Sequence, residues 1–169
     1  KFRLFLADQT HGKYSQAIVW ESPDEIHIHA VAESNDSAIF STNQELSSCS
    51  VYGIRRASRW KPELIFMAGR YVQRVEYASP SGNLFVLSLQ ERGRPGAGSK
   101  VLYDTGYAVA LQNDTWMSQR ILPYIPDLQT PGFAPSPLVA VAPDEHHIAG
   151  ICEREVEGEF QPNILLVQV

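Results

Sequence analysis

Eleven short apolar runs constrain this chain more than any other feature: FRLFLA, QAIVW, IHIHAVA, SAIF, ELIFM, LFVLSL, KVLY, YAVAL, PLVAVA, HIAGIC and NILLVQV. Each has the length of a β-strand, either alternates with period two or is apolar throughout, and is bounded by Gly, Pro, Asp, Asn or Ser. Eleven prolines and eleven glycines spread along the chain supply that punctuation. Helical periodicity is nearly absent; only QELSSCSVYGIRR and DTWMSQRILPYI leave room for a helical turn or two. The expected class is all-β. With 169 residues, 44% of them hydrophobic, such strands can bury a core without covalent staples.

The runs are not independent of one another. AIVWESPDEIHIHAVAE lies over RVEYASPSGNLFVLSLQ and LVAVAPDEHHIAGICE without gaps, bringing Pro23, Pro80 and Pro143 into register. Apolar residues then match on one strand face: Ile18, Val75 and Leu138 before the turn; Ile28, Phe85 and Ile148 after it. Proline presets the second position of a tight turn, and a neighbouring Asp or Ser bonds the local backbone. A further strand follows each copy, in SAIFS, SKVLYD and NILLVQV. Such a unit cannot bury both of its faces alone, so neighbouring units must stack or close around an axis.

VAVAPDEHHIAGICE with NILLVQV resembles a blade of a WD-repeat or TolB-like β-propeller. There a strand ends in a Ser-Pro-Asp-Gly-like turn, a second strand follows, and a third closes the unit. Gly82 fits that pattern, whereas Glu25 and Glu145 stand at its glycine position; VLYD, residues 101–104, is the nearest approach to a closing Trp-Asp. The resemblance implies a propeller-like array of about three antiparallel blades, with repeats at roughly 14–57, 63–116 and 134–169. The array is either a single domain over 1–169 or part of a larger propeller. It further implies a non-catalytic module that binds a protein or a glycan through loops. Open blades expose sheet edges, so a protein partner or self-association is expected. A β-trefoil, as in lectins and protease inhibitors, is the rival closure, and a jelly-roll barrel is a third.

The barrel alternative carries its own chemistry. His27 and His29 fall on one face of a strand, and Glu33 follows four residues later. Two imidazoles and a carboxylate suit Zn or Fe, and His-x-His-x3-Glu is similar to the first metal motif of cupins. In the repeat alignment, however, His27 matches Leu84 and His147, and His29 matches Val86 and Ala149. A strand face packed on a neighbour varies in that way, so no cofactor is expected. GRPGAG, residues 93–98, lacks the Lys-Ser/Thr ending of a phosphate loop. No Gly-x-Ser-x-Gly elbow or catalytic cysteine context is present, which leans away from an enzyme.

Trp60, Tyr71, Tyr107, Trp116 and Tyr124 fall near loop or strand ends and are the candidate binding residues, since rigid aromatics give large contact area at small entropic cost. The basic stretch IRRASRWK, residues 54–61, is expected to be a charged surface loop. PYIPDLQTPGFAPSP, residues 123–137, is too proline-rich for a strand and reads as a connector. A net charge of −5 gives no general attraction to nucleic acid, and no apolar run reaches membrane-span length. Cys49 and Cys152 are either two buried thiols or one disulfide. Asn35 and Asn113 begin glycosylation sequons, a lean toward a secretory history.

Overall fold

The computed structural model describes residues 1–10, 13–34, 36–44, 48–68, 71–92, 102–121, 125–126, 139–156 and 159–169. All of their regular structure is β-strand, with no helix among the described residues. A hairpin of β1 (Phe2–Thr10) and β2 (Lys13–Ser22) makes the first sheet. A meander of β3 (Glu25–Val31), β4 (Ser37–Gln44), β5 (Ser48–Arg55) and β6 (Glu63–Ala68) makes the second. The third repeats that plan with β7 (Tyr71–Ala78), β8 (Leu84–Arg92), β9 (Leu102–Gln112) and β10 (Thr115–Arg120). Its β9 also pairs with β11 (Ile125–Pro126). The fourth holds β12 (Val139–Val141), β13 (His147–Val156) and β14 (Glu159–Gln168).

The described strands form open sheets and close no barrel, so neither the trefoil nor the jelly-roll alternative describes them. Meanders follow from short links: neighbours joined by tight turns pair antiparallel, and a parallel partner would need a long crossover.

The sheets stack in chain order, with an apolar core between each pair. Leu4, Val19 and Trp20 of the first sheet meet Phe40, Tyr52 and Ile54 of the second. Ile39, Cys49 and Val51 of the second meet Phe85, Leu87, Leu89, Val109 and Trp116 of the third. Leu84, Val86 and Ala108 of the third meet Ile148, Val141 and Val167 of the fourth. Strand β8 thus sends alternate residues into two different cores, and Leu84 to Leu89 are all buried. That double burial explains why LFVLSL is almost continuously apolar instead of alternating. Each such Leu or Phe withdrawn from water stabilises the fold by about 1.5–3 kcal/mol. First strands of successive sheets touch, β3 against β7 and β7 against β12.

Two of the three proline turns behave as the sequence predicts. Ser79 N–H donates to Leu84 O at 2.8 Å, and Ala142 N–H donates to His147 O at 2.8 Å, each closing the first hairpin of its sheet. The corresponding bond in the second sheet runs from Ala32 N–H to Ser37 O at 3.0 Å. The counterpart of Pro80 and Pro143 is therefore Glu33, not Pro23. A β-bulge confirms this register. Pairing skips His29 between Ile28/Phe40 and Ala30/Ile39, and it skips Glu76 between Val75/Leu87 and Tyr77/Val86, with every residue offset by the same interval.

The expected match of Ile28 with Phe85 and Ile148 fails accordingly. Phe85 is 0% and Ile148 1% exposed, whereas Ile28 is 60% exposed. Ala38 stands at that position instead. Pro23 lies between β2 and β3, which belong to different sheets. Proline merely favours the φ that the second turn position needs; Glu33 occupies it without one.

Candidate functional site

The three equivalent turns abut in a row. Ser37 Oγ donates to Gly82 O at 2.9 Å, and Ser34 N–H reaches Pro80 O at 3.4 Å. Ser81 Oγ donates to Glu145 Oε2 at 2.9 Å. Gly82 has φ 74°, and a Cβ there would strike the Ser37 side chain and lie 2.7 Å from Ala32 Cβ. Glycine is needed here for both conformation and space. Glu145 adopts φ 58° at the matching place in the fourth sheet, as the pattern of a Gly position predicts. Within the Pro80 turn, Ser79 Oγ accepts from Asn83 N–H at 3.1 Å and Leu84 N–H at 3.0 Å. Asp144 does the same work in its turn, accepting from His146 N–H at 2.9 Å. That bond and the one to His147 hold the Asp144 carboxyl below its ordinary pKa.

Beside this row a cleft of about 490 Å³ opens between the second and third sheets, lined by Asp36, Arg55, Arg56, Ser81, Asn83 and Asp114 together with the apolar Ala57 and Leu111. Arg55, at the end of β5, is 8% exposed. Its Nη1 donates to Asp114 Oδ1 at 3.1 Å and its Nη2 to Asp114 O at 2.8 Å, with Glu63 Oε1 at 3.4 Å. The acceptor belongs to the β9–β10 turn, where Asn113 and Asp114 have φ 48° and 62°. Positive φ at both central residues defines the hairpin turn that matches strand twist, and Asn and Asp tolerate it. Arg55 therefore ties one sheet to the hairpin tip of the next. Arg56 points outward, pairing with Asp36 at 2.9 Å and covering the Trp60 ring at 5.7 Å.

The expected charged loop at 54–61 is thus half right: Arg56 and Arg59 are exposed, but Arg55 is buried. Two guanidinium groups, two carboxylates, two hydroxyls and an amide line one cleft, several of them already bonded to one another or to a neighbouring turn. Such a set suits the hydroxyls of a sugar or the backbone of a peptide.

Of the five candidate aromatics, the three whose side chains are described, Trp60, Tyr107 and Trp116, do not converge on a common rim. Trp116 is 7% exposed and belongs to the core between the second and third sheets, 6.0 Å from the Phe85 ring centroid. Its indole lies over Gly53, where any Cβ would overlap it. Tyr107 is partly buried in the same core and stacks on Phe66 at 4.8 Å. Tyr52 occupies the equivalent strand position one sheet earlier, stacked on Phe40 at 5.2 Å, so Tyr107 is a repeated packing residue. Trp60 is partly buried against the core of the first two sheets. Tyr71 lies on β7 with its backbone alone described, and Tyr124 lies outside the described residues.

His27 and His29 do face the same way, but His29 Nε2 is 2.8 Å from Ser41 Oγ and His27 Nε2 is 3.4 Å from Glu25 Oε2. Burial, and then the neighbouring His27, push the His29 pKa down to about 4. Ser41 also bonds the Cys49 thiol, a buried free cysteine whose pKa is raised by burial. Glu33 stands exposed in the turn after β3. Among the described residues no three His, Cys, Asp or Glu are grouped to hold a metal ion, which leaves the His27, His29, Glu33 set unassembled. No helix among the described residues is long and apolar enough to cross a membrane.

The cleft residues Arg55, Asn83 and Asp114 were missed by pattern reading. The Asn-Asp pair at 113–114 was the available signal, since it marks a two-residue turn. No protein-family model matches this chain, and no curated protein matches it.

Proposed function

We propose that this chain is a run of WD-repeat or TolB-like propeller blades serving as a non-catalytic binding module. It engages a protein or a glycan at the end of the strands where the hairpin turns line up. The observation that carries this is the cleft beside the turns at 32–37 and 79–84, framed by two successive four-stranded meanders. Stacked meanders with adjoining first strands are the arrangement expected of consecutive blades. Function in such folds resides in loops placed by a rigid frame. The trefoil-lectin and metal-barrel alternatives both need a closed barrel, and no observation favours either.

The test uses a glycan array and a phage-displayed peptide library probed with the purified chain. A defined glycan or peptide class is expected to bind, and the Asn83→Ala, Arg56→Ala double variant is expected to weaken it about tenfold or more with an unchanged unfolding midpoint. Silence on both libraries, or binding indifferent to these two residues, overturns the proposal.

A further inference from the structure

The two glycosylation sequons of the chain have unequal surroundings. Both carry Asp in the middle, so they differ only in the third residue and in what lies around them. Asn35-Asp36-Ser37 ends in a hydroxyl that is already committed. Ser37 is 4% exposed, and its Oγ donates to Gly82 O at 2.9 Å. Asn35 itself lies outside the described residues.

Asn113-Asp114-Thr115 is placed differently. Gln112 pairs with Thr115, so Asn113 and Asp114 are the two turn residues of the β9–β10 hairpin. Asn113, Asp114 and Thr115 are all exposed. Among the described residues no side-chain hydrogen bond engages the Asn113 amide or the Thr115 hydroxyl. The tip is anchored without being covered: Arg55 bonds the Asp114 carboxylate and carbonyl at 3.1 and 2.8 Å, yet the Asp114 side chain stays 92% exposed. Among the described strands β10 is the outermost of its sheet, so none stands beyond it.

N-glycosylation needs an Asn side-chain nitrogen and, two residues on, a hydroxyl, both free to enter the site of a transferase. We propose that Asn113 is the N-glycan acceptor of this chain when it passes through a secretory compartment. The co-substrate is a lipid-linked oligosaccharide diphosphate. Transfer forms a bond from the Asn113 side-chain nitrogen to the anomeric carbon and breaks that carbon's bond to the diphosphate. The lipid diphosphate leaves, and the proton lost by the amide passes to a base of the transferase. Leu111 and Asp114, on either side of Asn113, line the cleft beside the turns, so the glycan stands at its mouth. The assignment does not depend on what that cleft binds.

Expression of the full chain behind a cleavable secretion signal in cultured mammalian cells tests it. Gel mobility before and after enzymatic removal of N-glycans is read in both the medium and the cells, so a retained chain is scored as well as a secreted one. A shift of one glycan is expected, reversed by the enzyme and mapped to Asn113 by a heavy-oxygen label taken up on release. Thr115→Ala leaves both turn residues in place and is expected to abolish the shift. Asn35→Gln is expected to leave it unchanged. An unshifted chain, a glycan mapped to Asn35 alone, or a shift that survives Thr115→Ala overturns the proposal.

Discussion

The core between the second and third sheets and the one between the first and second use the same parts to different ends. In the former, two four-stranded meanders face each other, and Phe85, Leu87, Val51 and Cys49 are all fully buried. In the latter, a two-stranded hairpin faces a four-stranded sheet and covers only its middle. Trp20 closes over Phe40 and Tyr52 at 5.4 and 5.0 Å, but Ile28 on β3 and Met67 on β6 remain 60% and 68% exposed. Burial here is set by how many strands the neighbouring sheet brings, not by the hydrophobicity of the strand itself. One interface is complete, the other half covered.

The sharpest way to break this contrast is truncation at the two residues that the proline alignment equates. Phe85→Ala is expected to cost about 3–5 kcal/mol, the transfer loss plus the cavity left in a packed core. Ile28→Ala is expected to stay within about 0.5 kcal/mol, as surface changes do. Urea melts of the two variants decide it; similar losses would mean that the two interfaces are equally closed.

A smaller effect probes what ties the meanders together. Arg55→Met keeps the stem of the side chain and removes the bonds to Asp114 and Glu63, for an expected loss of roughly 1–3 kcal/mol. Arg56→Met, next to it in sequence but exposed, is expected to change the melting midpoint hardly at all. Equal effects would deny Arg55 its role as an inter-sheet tie.

The smallest expected effect concerns acid. His29 titrates near 4 in the folded chain against 6.5 for a free imidazole, so the unfolded chain takes up the proton first. Stability is then whole above about pH 6.5 and falls as the pH drops toward 4. Because the ring is partly exposed, the loss is discounted to roughly 1 kcal/mol. His29→Gln is expected to flatten that part of the profile measured by denaturant titration; an unchanged slope would assign it to other groups.

Much of the architecture was legible before any coordinates. Period-two runs gave the strands, Gly and Pro gave most of the breaks, and the likeness of the Pro80 and Pro143 segments reflects truly equivalent turns. The first copy misled because proline is a preference and not a requirement. What defines the turn is the hydrogen bond across it, and Glu33 serves there while Pro23 marks a passage between sheets. The expected exposure of Trp116 failed for a related reason. Trp116 lies two residues after a hairpin turn, where exposure is the default, yet the absence of a side chain at Gly53 on another sheet makes room for its ring.

Sequence alone determined that this chain is all-β, that its strands come in short antiparallel series, and that a turn motif recurs along it. Those properties are local: they follow from side-chain alternation and from the dihedral preferences of a few turn residues. Tertiary structure decided which turns correspond, which apolar faces are covered, and that Arg55 is a buried tie while Arg56 is not. Such outcomes depend on which sheet lies opposite, and a residue's own neighbours in the chain carry no record of that.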